Sequence, residues 1–347
     1  MGTIGANALP AVQQSRKILK SLASQVGILP RYLLVAFVAL AASSHVAAQM
    51  CINDAHILPR EMPGSPAPGQ PIFRANVDLV LVNVTVVDFA GRVVTGLGST
   101  DFTVLDDKHP QVVRYLSNVD EPISLVVVLD ASASMAPNIQ EARKALTELI
   151  NTSNPQDDFG LVVVSDKPRV ALHVDDSASE IQAAVDALQP DGATALWDGM
   201  YLGVDELRNS RYQRKAMVVI SDGGDNHSRY TESELRSLLK EADIEVYAIG
   251  MLHPYATRLE EKRGPLELDE VTSVTGGRVF TARDSAELSR AVTQISRELR
   301  SQYILGYYPS NRIRDGKWRS LKIRVAKSAS PEKVRLYAKK GYYAPAE

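Results

Sequence analysis

Between residues 121 and 300, short apolar runs alternate with amphipathic segments, and this alternation constrains the fold more than any other feature. The run "SLVVVLD" (124–130) is too short for a buried helix and too apolar for a half-exposed strand. It suits a central strand covered on both faces. The pattern predicts strands at 123–130, 159–164, 169–174, 216–221, 244–250 and 278–282. Helices are predicted at 137–151, 178–188, 195–208, 231–242, 266–275 and 284–300. Strands alternating with helices imply an α/β fold: a doubly wound, mostly parallel six-stranded sheet with helices on both faces.

The flanks read differently. Residues 73–120 carry "VDLVLVNVTVVD" (77–88), "DFTVL" (101–105) and "QVVRYLSNV" (111–119), all β-rich and without helical periodicity. After residue 300 the β pattern returns in "SQYILGYYP" (301–309), "RDGKWRSLKIRVA" (314–326) and "KVRLYAKKGYY" (333–343), with Asp315-Gly316 as a hairpin signal. Neither flank alone buries enough surface to be stable. The expectation is one β-sandwich built from N- and C-terminal strands (73–120 and 301–347), with the 121–300 domain inserted between its halves.

The N-terminus stands apart. Residues 1–31 hold Arg16, Lys17, Lys20 and Arg31 and no acids, and "YLLVAFVALAA" (32–42) follows. Val46 and Ala48 then fit a cleavage site, so 1–48 reads as a secretory signal and the chain as exported: periplasmic, cell-surface or secreted. The rival reading is an uncleaved anchor, the only route to a membrane, although the apolar run falls short of the roughly 20 residues a span needs. Residues 49–72 contain five prolines and read as a linker. The single cysteine, Cys51, excludes an intramolecular disulfide framework and any multi-cysteine zinc site. A net charge of −2 gives no footprint for nucleic acid, and no phosphate-cradling GxxxxGK[ST] loop is present for a nucleotide.

Chemistry concentrates where apolar runs end. "VVVLDASASMAP" (126–137) puts oxygen-bearing side chains on alternate positions: Asp130, Ser132 and Ser134. "DGATALWDG" (191–199) presents Thr194 before a helix, and "VVISDGGDN" (218–226) ends a strand in Asp222. Each piece alone has an ordinary explanation: Ser134 and Thr194 as helix caps, the Asp-Gly as a turn. Together, three loops of one α/β pattern carry only hard oxygen donors. Such donors suit Mg²⁺, with Mn²⁺ or Ca²⁺ possible, rather than zinc or copper. Two carboxylates balance a divalent charge, and neutral hydroxyls leave the ion open to an anionic ligand such as a partner's carboxylate.

These residues resemble the metal-ion-dependent adhesion site (MIDAS) of von Willebrand factor type A (vWA) domains. There an Asp-x-Ser-x-Ser stretch follows the first strand, a Thr lies in a following loop, and an Asp follows the fourth strand. The resemblance covers roughly 121–300 and implies that Ser132, Ser134 and Thr194 supply hydroxyls, with Asp130 and Asp222 binding directly or through water. The flanking "GLGSTDFTVLDD" (96–107) and "KKGYYAP" (339–345) look like those of bacterial VWFA-related proteins. Asp198 and Asp225 lie beside the ligands as candidates for supporting them. Their alternative reading is helix first-turn charge for Asp198 and a backbone-bonded loop acid for Asp225.

The resulting expectation is an exported binding protein, not an enzyme, using a Mg²⁺-type cation to hold an Asp or Glu carboxylate of a partner protein. A structural envelope scaffold with a stabilising metal, and a metal-dependent hydrolase, are the alternatives.

Overall fold

A computed structural model describes residues 79–346 except 175, 177, 223, 253–258 and 327–332. The signal and linker expectations (1–48 and 49–72) lie outside the described residues. Among those described, no helix is long and apolar enough to cross a membrane.

The central sheet has six strands: β5 (Ser124–Asp130), β6 (Asp158–Val164), β7 (Arg169–Leu172), β8 (Lys215–Ser221), β9 (Glu245–Met251) and β10 (Val279–Ala282). Their order is β10-β9-β8-β5-β6-β7. All neighbours are parallel except β6 and β7. The exception follows from length: Ser165–Pro168 is far too short for a parallel crossover. Every residue of β5 is buried, as its unbroken apolar run requires. Successive side chains alternate between faces. Leu125, Val127 and Leu129 pack under α1 (Ile139–Thr152), α2 (Ala178–Asp186) and α6 (Ser285–Arg300). Val126 and Val128 pack on the other face under α3 (Leu196–Arg208), α4 (Glu232–Ala242) and α5 (Leu259–Thr272). Close approach of α3 depends on Gly199, where a Cβ would lie 2.4 Å from Val164 Cγ2.

Helix α5 departs most from the sequence expectation. Its start is predicted at 266, yet the helix runs from Leu259 through Pro265, which lacks an N–H. Pro265 packs over Gly250 of β9, its Cγ 3.6 Å from where a Cβ of that residue would stand.

The flanks form two further four-stranded sheets. One is β13-β1-β11-β4 and the other β14-β12-β2-β3. Their strands are β1 (Val80–Asp88), β2 (Phe102–Asp106), β3 (His109–Gln111), β4 (Val113–Ser117), β11 (Tyr303–Tyr307), β12 (Trp318–Val325), β13 (Val334–Ala338) and β14 (Gly341–Tyr343). Strands from both flanks pair directly: β1 with β11 and β13, and β2 with β12. Their inward residues, Val82, Val84, Val86, Phe102, Val104, Tyr303, Leu305 and Tyr307 among them, form one core. The Asp315-Gly316 turn is not the hairpin expected there, because β11 and β12 belong to different sheets. The connecting chain crosses between sheets around the buried guanidinium of Arg319, which donates to the carbonyls of Asn311 and Ile313.

Helix α6 leads into β11 through Gln302, whose side-chain amide donates to both Glu245 carboxylate oxygens at 2.7 Å and to Thr85 Oγ1 at 3.2 Å. Arg214 in turn donates to Gln302 Oε1 and to the Leu299 carbonyl. These hydrogen bonds offset much of the cost of burying the polar groups where the last helix meets the sandwich, while Arg214 Nε is left without a partner among the described residues.

Candidate metal centre

From β5 the chain continues to β6 and β7 on one side, while β8, β9 and β10 lie on the other. Beyond the carboxyl ends of β5 and β8 is the crevice where open α/β sheets bind ligands. Asp130 closes β5 and Ser221 closes β8.

After Asp130 the chain folds back in a short 3-10 turn, Ala133–Met135, secured by the fully buried Met135. This turn brings Ser132 N to Asp130 Oδ1 at 2.9 Å. Asp130 Oδ2 accepts from Ser221 Oγ at 2.6 Å. Ser132 Oγ and Ser134 Oγ are 3.0 Å apart, and Ser134 Oγ donates to Asp222 Oδ1 at 2.9 Å. The cluster runs from the buried Asp130 and Ser132 outward to Ser134, which is exposed.

The loop before α3 is stitched between the other two. Asp191 N donates to the Ala131 carbonyl, and Ala133 N donates to the Gly192 carbonyl. Gly192 makes that contact at φ +79°, and a Cβ there would also meet Asp166 Oδ1 at 2.9 Å. On its other side Thr194 N donates to Asn226 Oδ1 at 3.0 Å, while the Thr194 carbonyl accepts from Asn226 N and His227 N. The structure therefore draws the Asp130, Thr194 and Asp222 loops together at one end of the sheet.

The cap explanation fails for both hydroxyl residues. Asn138 and Ala195 occupy the N-cap positions of α1 and α3, and neither cap uses a side chain. Asp225 instead serves α3 from a distant loop, its Oδ1 accepting from Leu196 N at 2.8 Å and Trp197 N at 3.3 Å. Asp198 accepts from Arg229 N, Tyr230 N and Arg229 Nε. Both acids fasten the chain that follows Asp222, and their hydrogen bonds go to backbone and loop side chains rather than to Ser132 or Ser134. Ser221 and Asn226 were not singled out from the sequence. Ser221 carried one usable signal, its place as the last residue of an apolar run beside Asp222.

Electrostatics fit a hard divalent cation. Burial pushes the Asp130 carboxyl up to about 6, against the lowering effect of its Ser221 and Ser132 donors, and the Asp222 charge pushes the same way. Two carboxylates in a poorly solvated crevice repel, and a divalent cation relieves both. Two carboxylates and three hydroxyls contain no imidazole or thiolate, so the set suits magnesium or manganese better than a soft ion. Among the described residues no group of three or more His, Cys, Asp or Glu forms an alternative centre.

Residues 124–294 match the sequence model of the von Willebrand factor type A domain. An uncharacterized protein of Borreliella burgdorferi is 21% identical over 197 residues, which cover 50% of this chain and 58% of that protein. The match thus spans just over half the length of that relative. Among solved structures, proximal thread matrix protein 1 from the mussel byssus, with a zinc-occupied MIDAS motif, is 21% identical. It matches 55% of this chain and 48% of its own with a TM-score of 0.45. A von Willebrand factor type A protein from Catenulispora acidiphila is 15% identical, matching 79% of this chain and 75% of its own with a TM-score of 0.45.

Proposed function

Since residues 124–294 belong to the von Willebrand factor type A family, we propose that the chain is an exported binding protein that holds a Mg²⁺-type cation and through it a carboxylate of a partner protein. The hydrogen bond from Ser134 Oγ to Asp222 Oδ1 carries this reading, because it joins loops 88 residues apart into one oxygen cluster. Ser132, Ser134 and Thr194 would hold the cation with neutral hydroxyls, and Asp130 and Asp222 would balance its charge. When bound, the cation supplies a positive centre with affinity for an anionic oxygen. Ser134 marks the side from which a partner's Asp or Glu can approach, since it is the exposed member of the cluster. Ser221 and Ser132 N keep the buried Asp130 oriented, and Asp198 and Asp225 hold the Asp222 loop against α3. Export rests on the charge, apolar core and cleavage-site order of residues 1–48.

The test is a pull-down from envelope extract by the full chain in Mg²⁺, with elution by EDTA and Asp130→Ala as control. A protein retained in Mg²⁺, released by chelation and absent from the Asp130→Ala eluate supports the reading. Retention that survives EDTA overturns it.

A further inference from the structure

The loop that begins at Asp222 also takes up backbone amides of the segment that carries Thr194. Asn226 Oδ1 accepts from Thr194 N at 3.0 Å, Asp225 Oδ1 from Leu196 N and Trp197 N, and Ser228 Oγ from Asp198 N at 3.0 Å. The exchange runs both ways, because the Asp198 carboxylate accepts from Arg229 N and Tyr230 N. Asp225, Ser228 and Asp198 act on the first turn of α3. Asn226 acts on Thr194 itself.

Its grip has two sides. While its side chain accepts from Thr194 N, its own backbone N donates to the Thr194 carbonyl at 3.0 Å. The group facing the side-chain amide is a backbone N–H, so the amide turns its oxygen to Thr194 and its NH₂ away. Ser132 and Ser134 meet through their hydroxyls, 3.0 Å apart, whereas the bonds that join Thr194 to the Asp222 loop run through its backbone. Threonine is β-branched, and its backbone conformation restricts χ1 and with it the direction of Oγ1. Whatever holds the Thr194 backbone therefore also aims the Thr194 hydroxyl.

We propose that Asn226 is a positioning residue of the metal centre, whose side-chain oxygen sets the Thr194 backbone and through it points the Thr194 hydroxyl at the cation. The inference rests on the reading of Thr194 as a ligand. Asn226 does not touch the ion, since its oxygen is committed to Thr194 N. A neutral amide supplies this acceptor without adding a third negative charge beside Asp130 and Asp222. Removing a group that orients a metal ligand typically weakens metal binding about 10–100-fold.

Calorimetric titration of the full chain with Mn²⁺, arranged as a double-mutant cycle, tests this. Asn226→Leu keeps the size of the side chain and removes the acceptor. Thr194→Ala removes the hydroxyl and keeps the backbone N–H that Asn226 holds. Each single variant is expected to bind Mn²⁺ about tenfold more weakly than the parent. The double variant is expected to lie within about threefold of Thr194→Ala, because no hydroxyl is left to aim. A role confined to loop stability would lower the melting temperature in EDTA in both backgrounds without this coupling. Asn226→Asp keeps an acceptor oxygen and is expected to bind at least as tightly as the parent, to within about threefold. Asn226 is exposed, so these substitutions leave the core intact, and Asn226→Ala repeats the cycle with a shorter side chain. Three outcomes overturn the proposal alone: Asn226→Leu and Asn226→Ala that bind like the parent, single effects that multiply to about a hundredfold in the double variant, or Asn226→Asp as weak as Asn226→Leu. A parent chain that binds no Mn²⁺ overturns the reading of the metal centre and this inference with it.

Discussion

Replacing Asp225 with Ala removes the external cap of α3, and the structure sets the size of the effect. Leu196 N and Trp197 N, at 2.8 and 3.3 Å from Asp225 Oδ1, lose their acceptor, and Ala195 at the N-cap offers no substitute side chain. Loss of a helix cap costs about 1–2 kcal/mol. The negative charge at the positive end of α3 adds a few tenths to about 1 kcal/mol. Opposing this, burial raises the Asp225 carboxyl above its ordinary value, so part of the gain is spent on desolvation. The net expectation is a loss of about 2 kcal/mol. Urea unfolding followed by tryptophan fluorescence is a suitable assay, because Trp197 lies at the capped turn. Asp225→Asn keeps an acceptor oxygen without the charge and should lose about half as much. An Asp225→Ala midpoint equal to the parent's, or an Asp225→Asn variant as unstable as Asp225→Ala, would refute the capping argument.

Three further outcomes follow from the same geometry. In metal-free protein Asp130 has a pKa of about 6 against an ordinary 3.8, so its folded state holds the proton more tightly. Its contribution to metal-free stability is therefore full below pH 3.8 and lost as pH rises through about 6, worth about 3 kcal/mol in all. Thermal melts in EDTA across that range check it. The same proton competes with the cation, so Mn²⁺ affinity should weaken about tenfold between pH 7 and pH 5 by calorimetry, and a flat profile would contradict it. Glu298→Ala should cost about 3–5 kcal/mol in urea, because it leaves Arg278 without its buried carboxylate partner, whereas exposed pairs such as Lys144–Glu141 should contribute under about 1 kcal/mol.

The central sheet was legible because its signal is strong and local. An apolar run such as Ser124–Asp130 can be buried on both faces only in a central strand, and the structure places it there. The Asp130–Ser134 stretch was legible only in combination, since three loops of one α/β pattern carry hard oxygen donors while each alone has an ordinary explanation. What escaped the sequence depends on distant partners. Asp225 looks like any loop acid until α3 is seen to start beside it. Ser221 is one small polar residue at a strand end, and its meaning comes from Asp130, 91 residues away. The crossing at 308–317 was read as a hairpin because Asp-Gly is a local signal, whereas the sheet each strand joins is decided by the core that Tyr303, Leu305 and Tyr307 share with β1. Helix α5 runs through Pro265 against the local preference, and it buries Leu268 and Val271 in the core of the central sheet. The Asp107-Lys108 turn between β2 and β3, with φ of 44° and 69°, lacks the Asn or Gly that would have marked it.

Anomalous diffraction from crystals soaked in Mn²⁺ addresses the metal centre most directly. The account predicts one strong peak at coordination distance from Ser132 Oγ and Ser134 Oγ, with Thr194, Asp130 and Asp222 in direct or water-bridged contact, and no such peak in Asp130→Ala crystals. A map without density between these three loops, or with the ion held elsewhere, would contradict it.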